Sequence, residues 1–135
     1  LAAPTKNTQP IDIAYSPVTF INIPSLSLGL PIFESDSKVT HLASSHPGQQ
    51  GNIIYFGDNS DEVFGSILEL SKGDEIVVVT RNGIGHEYVI NELLLVGPSD
   101  PRIMEQTPLE TLTLFTPAGF LDTKRFVIKA IPTSI

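Results

Sequence analysis

Four stretches of the chain have the pattern of β-strands: the first and last alternate apolar and polar residues, and the two between them are rich in β-branched and apolar residues. These stretches are Val18 to Phe33, Glu75 to Thr80, Glu87 to Val96 and Thr111 to Thr116. Two prolines in the first stretch exclude a helix, so its alternation predicts extended strands joined by a kink. Asn82-Gly83 lies between the second and third stretches and predicts a hairpin turn. The pattern therefore indicates a mainly β protein.

The region between residues 52 and 70 contains a predicted buried strand followed by a predicted helix. Asn52 to Phe56 is continuously apolar after its first residue, which is typical of a buried strand. Asn59 is a suitable helix N-cap, because Glu62 follows it three residues later. Apolar residues then recur at helical spacing and predict a short amphipathic helix: Val63, Phe64, Ile67 and Leu68. We therefore expect an all-β fold of about seven or eight strands with one or two short helices.

The last two predicted strands bring chemically useful residues together. The strand that begins at Thr111 is expected to end at Pro117, because proline has no backbone donor for a sheet ladder. Residues 118–120 then form a loop, and Arg125 precedes a second apolar run, Phe126 to Ile131. If these two strands pair, Pro117 and Arg125 lie close together. This is where we expect an active site.

Length and composition limit the possible architecture. The chain has 135 residues, of which 41% are hydrophobic, which is enough for one domain with its own core. Residues 1–17 are polar and contain prolines, so we expect a tail or edge segment there and the folded domain in residues 18–135. No apolar run reaches the ~18 residues that a membrane-spanning helix requires. The chain begins at Leu1 without a methionine, so we expect a longer protein whose membrane anchor lies outside it.

Charge and residue types exclude several kinds of chemistry. The formal net charge is −7 with eight Lys and Arg residues, which argues against a nucleic-acid partner. No cysteine is present, so disulfides, thiolate metal sites and cysteine nucleophiles are excluded. His41, His46 and His86 are expected in two loops and a hairpin tip, and their spacing matches no metal-ligand motif. A helix N-terminus explains Asp61 and Glu62 without calcium. We expect neither a metal nor a cofactor.

Four blocks of the sequence resemble sortases, the cysteine transpeptidases that attach proteins to bacterial cell walls. INIPSLSLGLPI is similar to the segment that opens the sortase barrel, and NIIYFG resembles a later strand. NSDEVFGSILELSKGDEI resembles the helix and the Gly-Asp turn of the family. Thr113, Leu114 and Thr116 match its Thr-Leu-x-Thr-Cys motif, and Arg125 matches the arginine at the start of its last strand. The resemblance implies a sortase-like closed β-barrel over nearly the whole chain.

The same resemblance implies that two catalytic residues are replaced. The nucleophilic cysteine of sortases falls on Pro117, and the general acid-base histidine falls on Asp58. A proline carries no nucleophile, and an exposed carboxylate is deprotonated at neutral pH and has no proton to donate. Of the catalytic residues that the resemblance implies, only Arg125 is retained. We therefore expect a catalytically inactive relative, a pseudoenzyme.

The resemblance also implies a partner and a location. Sortases hold a sorting motif such as Leu-Pro-x-Thr-Gly, so we expect Arg125, Thr116 and Asp58 to bind an extended peptide or a surface protein. If Asp58 faces Arg125, the two side chains form an ion pair. We expect this binding at the bacterial cell surface or outside the cell.

Two alternatives to a peptide-binding pseudoenzyme stay open. The first is a sortase-like transpeptidase or peptidase with altered chemistry, in which Thr116 would need a base within hydrogen-bond reach. The second is a purely structural domain of a larger surface protein.

Overall fold

The stretches predicted as strands, together with one short strand that the pattern did not predict, form one curled, eight-stranded sheet. The structure is a computed structural model in which residues 16–32, 38–42 and 44–133 are described. The strands are β1 (Val18–Ile23), β2 (Leu28–Pro31), β3 (Val39–His41), β4 (Asn52–Gly57), β5 (Glu75–Thr80), β6 (Gly85–Val96), β7 (Thr111–Ala118) and β8 (Lys124–Pro132). Three short 3₁₀ helices, Pro24–Leu26, Gly65–Glu69 and Phe120–Asp122, lie between strands. The predicted mainly β fold is confirmed, whereas most of the predicted tail lies outside the described residues.

The order of the strands brings three strand ends together. Hydrogen-bonded neighbours follow the order β2-β1-β5-β6-β8-β7-β4-β3, so β2 and β3 are the edge strands of the described sheet. β4 and β7 are parallel, and the other neighbouring pairs are antiparallel. The ends of β4 and β7 and the beginning of β8 therefore meet at one end of the sheet. In the described ranges, no helix has the length and apolarity needed to cross a membrane.

Apolar side chains cover both faces of the central strands. On the inner face, Ile53 and Tyr55 of β4 belong to the main hydrophobic core. On the opposite face lies a second group, which we call the outer cluster: Ile54, Val96, Ile103, Phe115 and Val127, with Leu42, Phe56 and Leu94 packed against it. Ile103 belongs to the segment between β6 and β7, residues 97–110, and is buried. This segment therefore covers part of the outer face.

The helix predicted after Asn59 is wrong in type and extent. Residues 61–64 form a turn, and only Gly65–Glu69 is helical, as a 3₁₀ helix with Phe64 at its N-cap. The amide of Phe64 donates to the carbonyl of Asp58, and the amide of residue 65 donates to the carbonyl of Ser60. These turn hydrogen bonds satisfy backbone donors that an α-helix beginning at Asn59 would use differently. Phe64 is nevertheless fully buried, as its apolar pattern indicated.

β7 continues past its expected end at Pro117 and stops at Ala118. The pairing of β7 with β4 ends at Phe115, so β7 has only β8 as a described neighbour beyond that point. A strand with one free edge accommodates a proline, because that edge requires no backbone donor. Pro117 lies opposite Arg125 in the β7–β8 register, which is the proximity that the sequence predicted.

We predict that Gly57→Ala destabilises the protein. A Cβ atom at Gly57 would lie 2.5 Å from Cδ2 and 2.7 Å from Cγ of the buried Phe64 ring. Overpacking of this kind costs about 1–3 kcal/mol. Gly97→Ala is the matched control, because no atom lies within 4 Å of a Cβ there. Urea denaturation measures both free energies of unfolding, and equal values for the two variants would contradict the close packing of β4 on Phe64.

Candidate functional site

The positions expected to form a site lie on three neighbouring strands. Pro117 on β7 is opposite Arg125 on β8. Phe56 on β4 is opposite Phe115 on β7, so Asp58, two residues later, is placed beside Pro117. Because residues two apart in a strand project to the same face, Pro117 shares the face of Phe115 and the outer cluster. The sequence-predicted positions are therefore adjacent, in the order Asp58, Pro117, Arg125 across the sheet.

The guanidinium of Arg125 holds the loop between β7 and β8. Its Nη1 donates to the carbonyl oxygens of Asp122 at 2.9 Å and Lys124 at 2.8 Å. Leu121 and Asp122 have positive φ angles, 55° and 57°, which are uncommon for residues other than glycine. Arg125 therefore stabilises a turn that the backbone alone disfavours. A guanidinium has five N–H donors, and those of Nε and Nη2 donate to no described protein group.

Asp58 is exposed at the end of β4 and is held by its own neighbours. Its Oδ1 accepts a hydrogen bond from Ser60 Oγ at 2.7 Å. Its backbone amide donates to the carbonyl of Lys38, and its carbonyl accepts from the amide of Phe64. The sequence suggested an ion pair between Asp58 and Arg125. The structure describes both side chains, and they do not form this ion pair.

Thr116 is buried next to Pro117 and connects two of the strands that form the site. Its side chain is fully buried, and its Oγ1 donates to the carbonyl oxygen of Gly57 at 2.8 Å. The hydroxyl proton is therefore directed at a carbonyl rather than at a base, and the side chain does not reach the surface. This hydrogen bond ties the end of β7 to the end of β4, immediately before Asp58.

Comparison with known proteins identifies the family. The family model for the sortase domain matches residues 21–133. This chain belongs to the sortase family. Sortase A from Bacillus anthracis is 29% identical to it, over 80% of this chain and 56% of that protein. The chain thus spans little more than half the length of that sortase.

Solved sortase structures share the fold. The Clostridium perfringens sortase D5 transpeptidase is 26% identical, with a TM-score of 0.76, and the match covers 87% of this chain and 79% of that one. A sortase C from Clostridium perfringens, solved with the C-terminal cell wall sorting motif, is 21% identical with a TM-score of 0.75. That match covers 98% of this chain and 80% of that one. The sortase fold expected from the resemblance is therefore confirmed, although the described sheet is a curled half-barrel with edge strands β2 and β3 rather than a closed barrel. The sortase family acts at the bacterial cell surface.

Two apolar features beside the sortase-like site did not follow from the sequence pattern. Phe120 and Leu121, in the loop that Arg125 holds, are 83% and 79% exposed. The rings of Phe56 and Phe115 meet with centroids 4.8 Å apart on the outer face. An apolar pair inside an otherwise polar loop was the available signal for the first feature. The second required the register between β4 and β7, which alternation alone does not give.

The three histidines lie away from the sortase-like site. His41 is the last residue of β3, a strand that the sequence pattern did not predict, rather than a loop residue. His86 lies in β6 rather than at a hairpin tip, because β6 begins at Gly85, before its predicted start at Glu87. The His41 ring stacks on Tyr55 with centroids 4.8 Å apart, and the His46 ring lies 5.0 Å from it. His41 Nε2 lies 3.1 Å from the carbonyl oxygen of Ser45, to which it can only donate. No group of three or more metal-binding side chains occurs among the described residues.

We predict that His41 makes stability depend on pH below neutrality. Burial lowers the pKa of His41, a hydrogen bond with the Ser45 carbonyl opposes this shift, and His46 adds to it. The unfolded chain therefore binds the proton at higher pH than the folded protein does. The free energy of unfolding should fall as the pH decreases from about 6.5 towards the lowered pKa of the folded state.

Denaturant titrations between pH 5 and 7 measure this slope. His41→Gln should flatten it, because glutamine can donate to Ser45 but does not titrate over this range. His86→Gln, the same substitution on β6, is the matched control for replacing a histidine by glutamine. An unchanged slope in His41→Gln would exclude His41 as its source.

Proposed function

We propose that this chain is a catalytically inactive sortase relative that binds an extended peptide at the bacterial cell surface. The observation that carries the proposal is Pro117, which stands where the resemblance puts the nucleophilic cysteine. Acyl transfer by covalent catalysis requires a nucleophile, and the chain contains no cysteine. The neighbouring hydroxyl, that of Thr116, is buried and donates to a carbonyl, which supports the same conclusion.

Asp58, the residue beside Pro117, supports the proposal that acid-base catalysis has been lost. An imidazole can both accept and donate a proton near neutral pH, which is what a general acid-base catalyst requires. Asp58 offers a solvent-exposed carboxylate instead, with one oxygen bonded to Ser60. In the proposal, the peptide lies in a groove over the surface formed by Asp58, Pro117 and Arg125. Asp58 contributes negative charge and hydrogen-bond acceptors to the rim of this groove rather than a proton to a leaving group.

Arg125 supports the proposal that the chain still binds a peptide. Its Nη1 is used by the loop, while Nε and Nη2 remain for a ligand. An arginine whose position is already fixed loses little conformational freedom when it donates to a peptide carbonyl or carboxylate. Beside it lies the apolar outer face, where the half-buried Phe56 ring packs against the buried Phe115 ring and offers contact area for peptide side chains. A sortase homologue solved with a sorting motif gives this ligand class a precedent.

One observation favours a second candidate, a purely structural domain. The charged groups of the site already have partners within the chain, since Arg125 binds its own loop and Asp58 binds Ser60. In this candidate, the arginine is retained because it stabilises the turn at Leu121 and Asp122. The two candidates differ in one measurable property, the affinity for peptide.

We predict that the protein binds a fluorescent Leu-Pro-Ala-Thr-Gly peptide without cleaving it. Arg125→Ala should weaken binding about tenfold or more, because a hydrogen bond to a charged group contributes about 1.5–3 kcal/mol. Arg81→Ala, which removes an exposed arginine from the β5–β6 hairpin, is the matched control and should bind as the unaltered protein does. Fluorescence anisotropy measures the Kd, and mass spectrometry of the same samples measures cleavage.

The double variant Pro117→Cys/Asp58→His separates the remaining outcomes. Cleavage by the unaltered protein would contradict the proposed inactivity. Cleavage by the double variant alone, without binding by the unaltered protein, would show that the groove is intact and that Pro117 and Asp58 keep this peptide from binding. No binding and no cleavage in any variant would favour the structural domain.

A further inference from the structure

Three polar side chains are buried side by side on the outer face, on the neighbouring strands β8, β7 and β4. Lys129, Thr113 and Asn52 are only 5%, 0% and 1% exposed. Lys129 lies opposite Thr113 in the β7–β8 register, and its Nζ donates to Thr113 Oγ1 at 3.2 Å. Thr113 Oγ1 in turn donates to Asn52 Oδ1 at 2.5 Å. Burying polar groups is costly unless each has a partner, and these three provide partners for one another.

The lysine determines the direction of these hydrogen bonds. An ammonium group can only donate, so Thr113 Oγ1 must accept from Lys129 and its single hydrogen is left for Asn52 Oδ1. Because the oxygen of Asn52 is thereby assigned, its Nδ2 points the other way. Nδ2 donates to the carbonyl oxygens of Ile103 at 3.3 Å and Glu105 at 2.9 Å. The hydrogen bonds from Lys129 through Thr113 to Asn52, which we call the relay, therefore end on the backbone of the 97–110 segment.

The 97–110 segment borders the proposed peptide groove. The buried side chain of Ile103 packs in the outer cluster with Phe115, which is two residues from Pro117 on the same face. Burial lowers the pKa of Lys129. The negative charges of Glu105, in the segment, and Glu92, on β6, oppose that shift because they stabilise the charged lysine. The carboxylate of Glu105 is thus attracted to Lys129, and the backbone carbonyl of the same glutamate accepts a hydrogen bond from Asn52 at the other end of the relay.

We propose that Lys129 is a positioning residue that, through Thr113 and Asn52, fixes the 97–110 segment as one wall of the groove. With an apolar residue at position 129, the Thr113 hydroxyl could rotate and the Asn52 amide could turn over. Turning the amide over would put its oxygen against two carbonyl oxygens and remove both hydrogen bonds to the segment. The inference rests on the proposed function for the ligand, whereas the position of the wall does not require a ligand.

Hydrogen exchange of the free protein tests the positioning role. Lys129→Met keeps the length of the side chain but removes the donor, and it should speed exchange of the amides of residues 102–106 about tenfold. Lys72→Met removes a lysine from an exposed turn and is the matched control. Relative to this control, exchange in β1 and β5 should not change. Lys129→Arg restores a donor and should recover slow exchange in the segment.

A second variant keeps the test decisive if Lys129→Met does not fold. Thr113→Val removes the middle of the relay with little change of shape, and it should speed exchange in the same residues. Combined with Lys129→Met, it should add little, because both substitutions break one connected relay. Uniform acceleration across all strands, or no acceleration in residues 102–106, would overturn the inference.

The peptide titration then relates the segment to binding. Lys129→Met should weaken binding of the Leu-Pro-Ala-Thr-Gly peptide several-fold, mainly because the peptide dissociates faster. Unchanged peptide affinity with a loosened segment would overturn its assignment as a wall of the groove. A loosened segment in a protein whose unaltered form binds no peptide would contradict the proposed function and leave the positioning role of Lys129 intact.

Discussion

The parallel ladder between β4 and β7 determines where the residues of the site lie. Its register places Asp58 beside Pro117 even though both residues follow the last backbone pair. The buried hydrogen bond from Thr116 to the Gly57 carbonyl extends the connection by one residue. Such a bond contributes about 1 kcal/mol net, and losing the donor costs more when the acceptor stays buried. β8 then adds Arg125 from the other side of β7, so three separate parts of the sequence meet at one end of the sheet.

Much of this frame could be predicted from the sequence because it depends on local patterns. Alternation and apolar runs indicated all the described strands except β3, Asn82-Gly83 indicated the β5–β6 hairpin, and the resemblance correctly indicated the family. The errors arose where tertiary contacts decide. The turn after Asn59 is shaped by hydrogen bonds to the end of β4, and Pro117 stays in a strand because its neighbour β4 has already ended. Neither condition is visible in local spacing.

The relay of Lys129, Thr113 and Asn52 could not be derived from the sequence for the same reason. The sequence does show a lysine within the apolar run after Arg125 and an asparagine at the start of a buried strand. A charged residue in an apolar strand signals a buried partner or an exposed edge, and only the strand order distinguishes these. Because β7 lies between β4 and β8, residues 77 positions apart in the sequence act on one connecting segment. The functional residues hardest to predict are thus those whose partners come from distant strands.

The two positions at which we propose that catalytic residues are replaced, Asp58 and Pro117, are less buried than Thr116, which supports them. Asp58 is exposed, and Pro117 lies beyond the β4 ladder, so neither contributes much to the core. Thr116, by contrast, is buried and hydrogen-bonded. Exchanging an exposed or edge residue usually changes stability little, whereas removing a buried polar group leaves its partners unsatisfied. Under the proposed function, a sortase fold would lose its nucleophile and its acid-base residue at small energetic cost, because neither position is buried in the core, and it would keep Arg125 for a peptide.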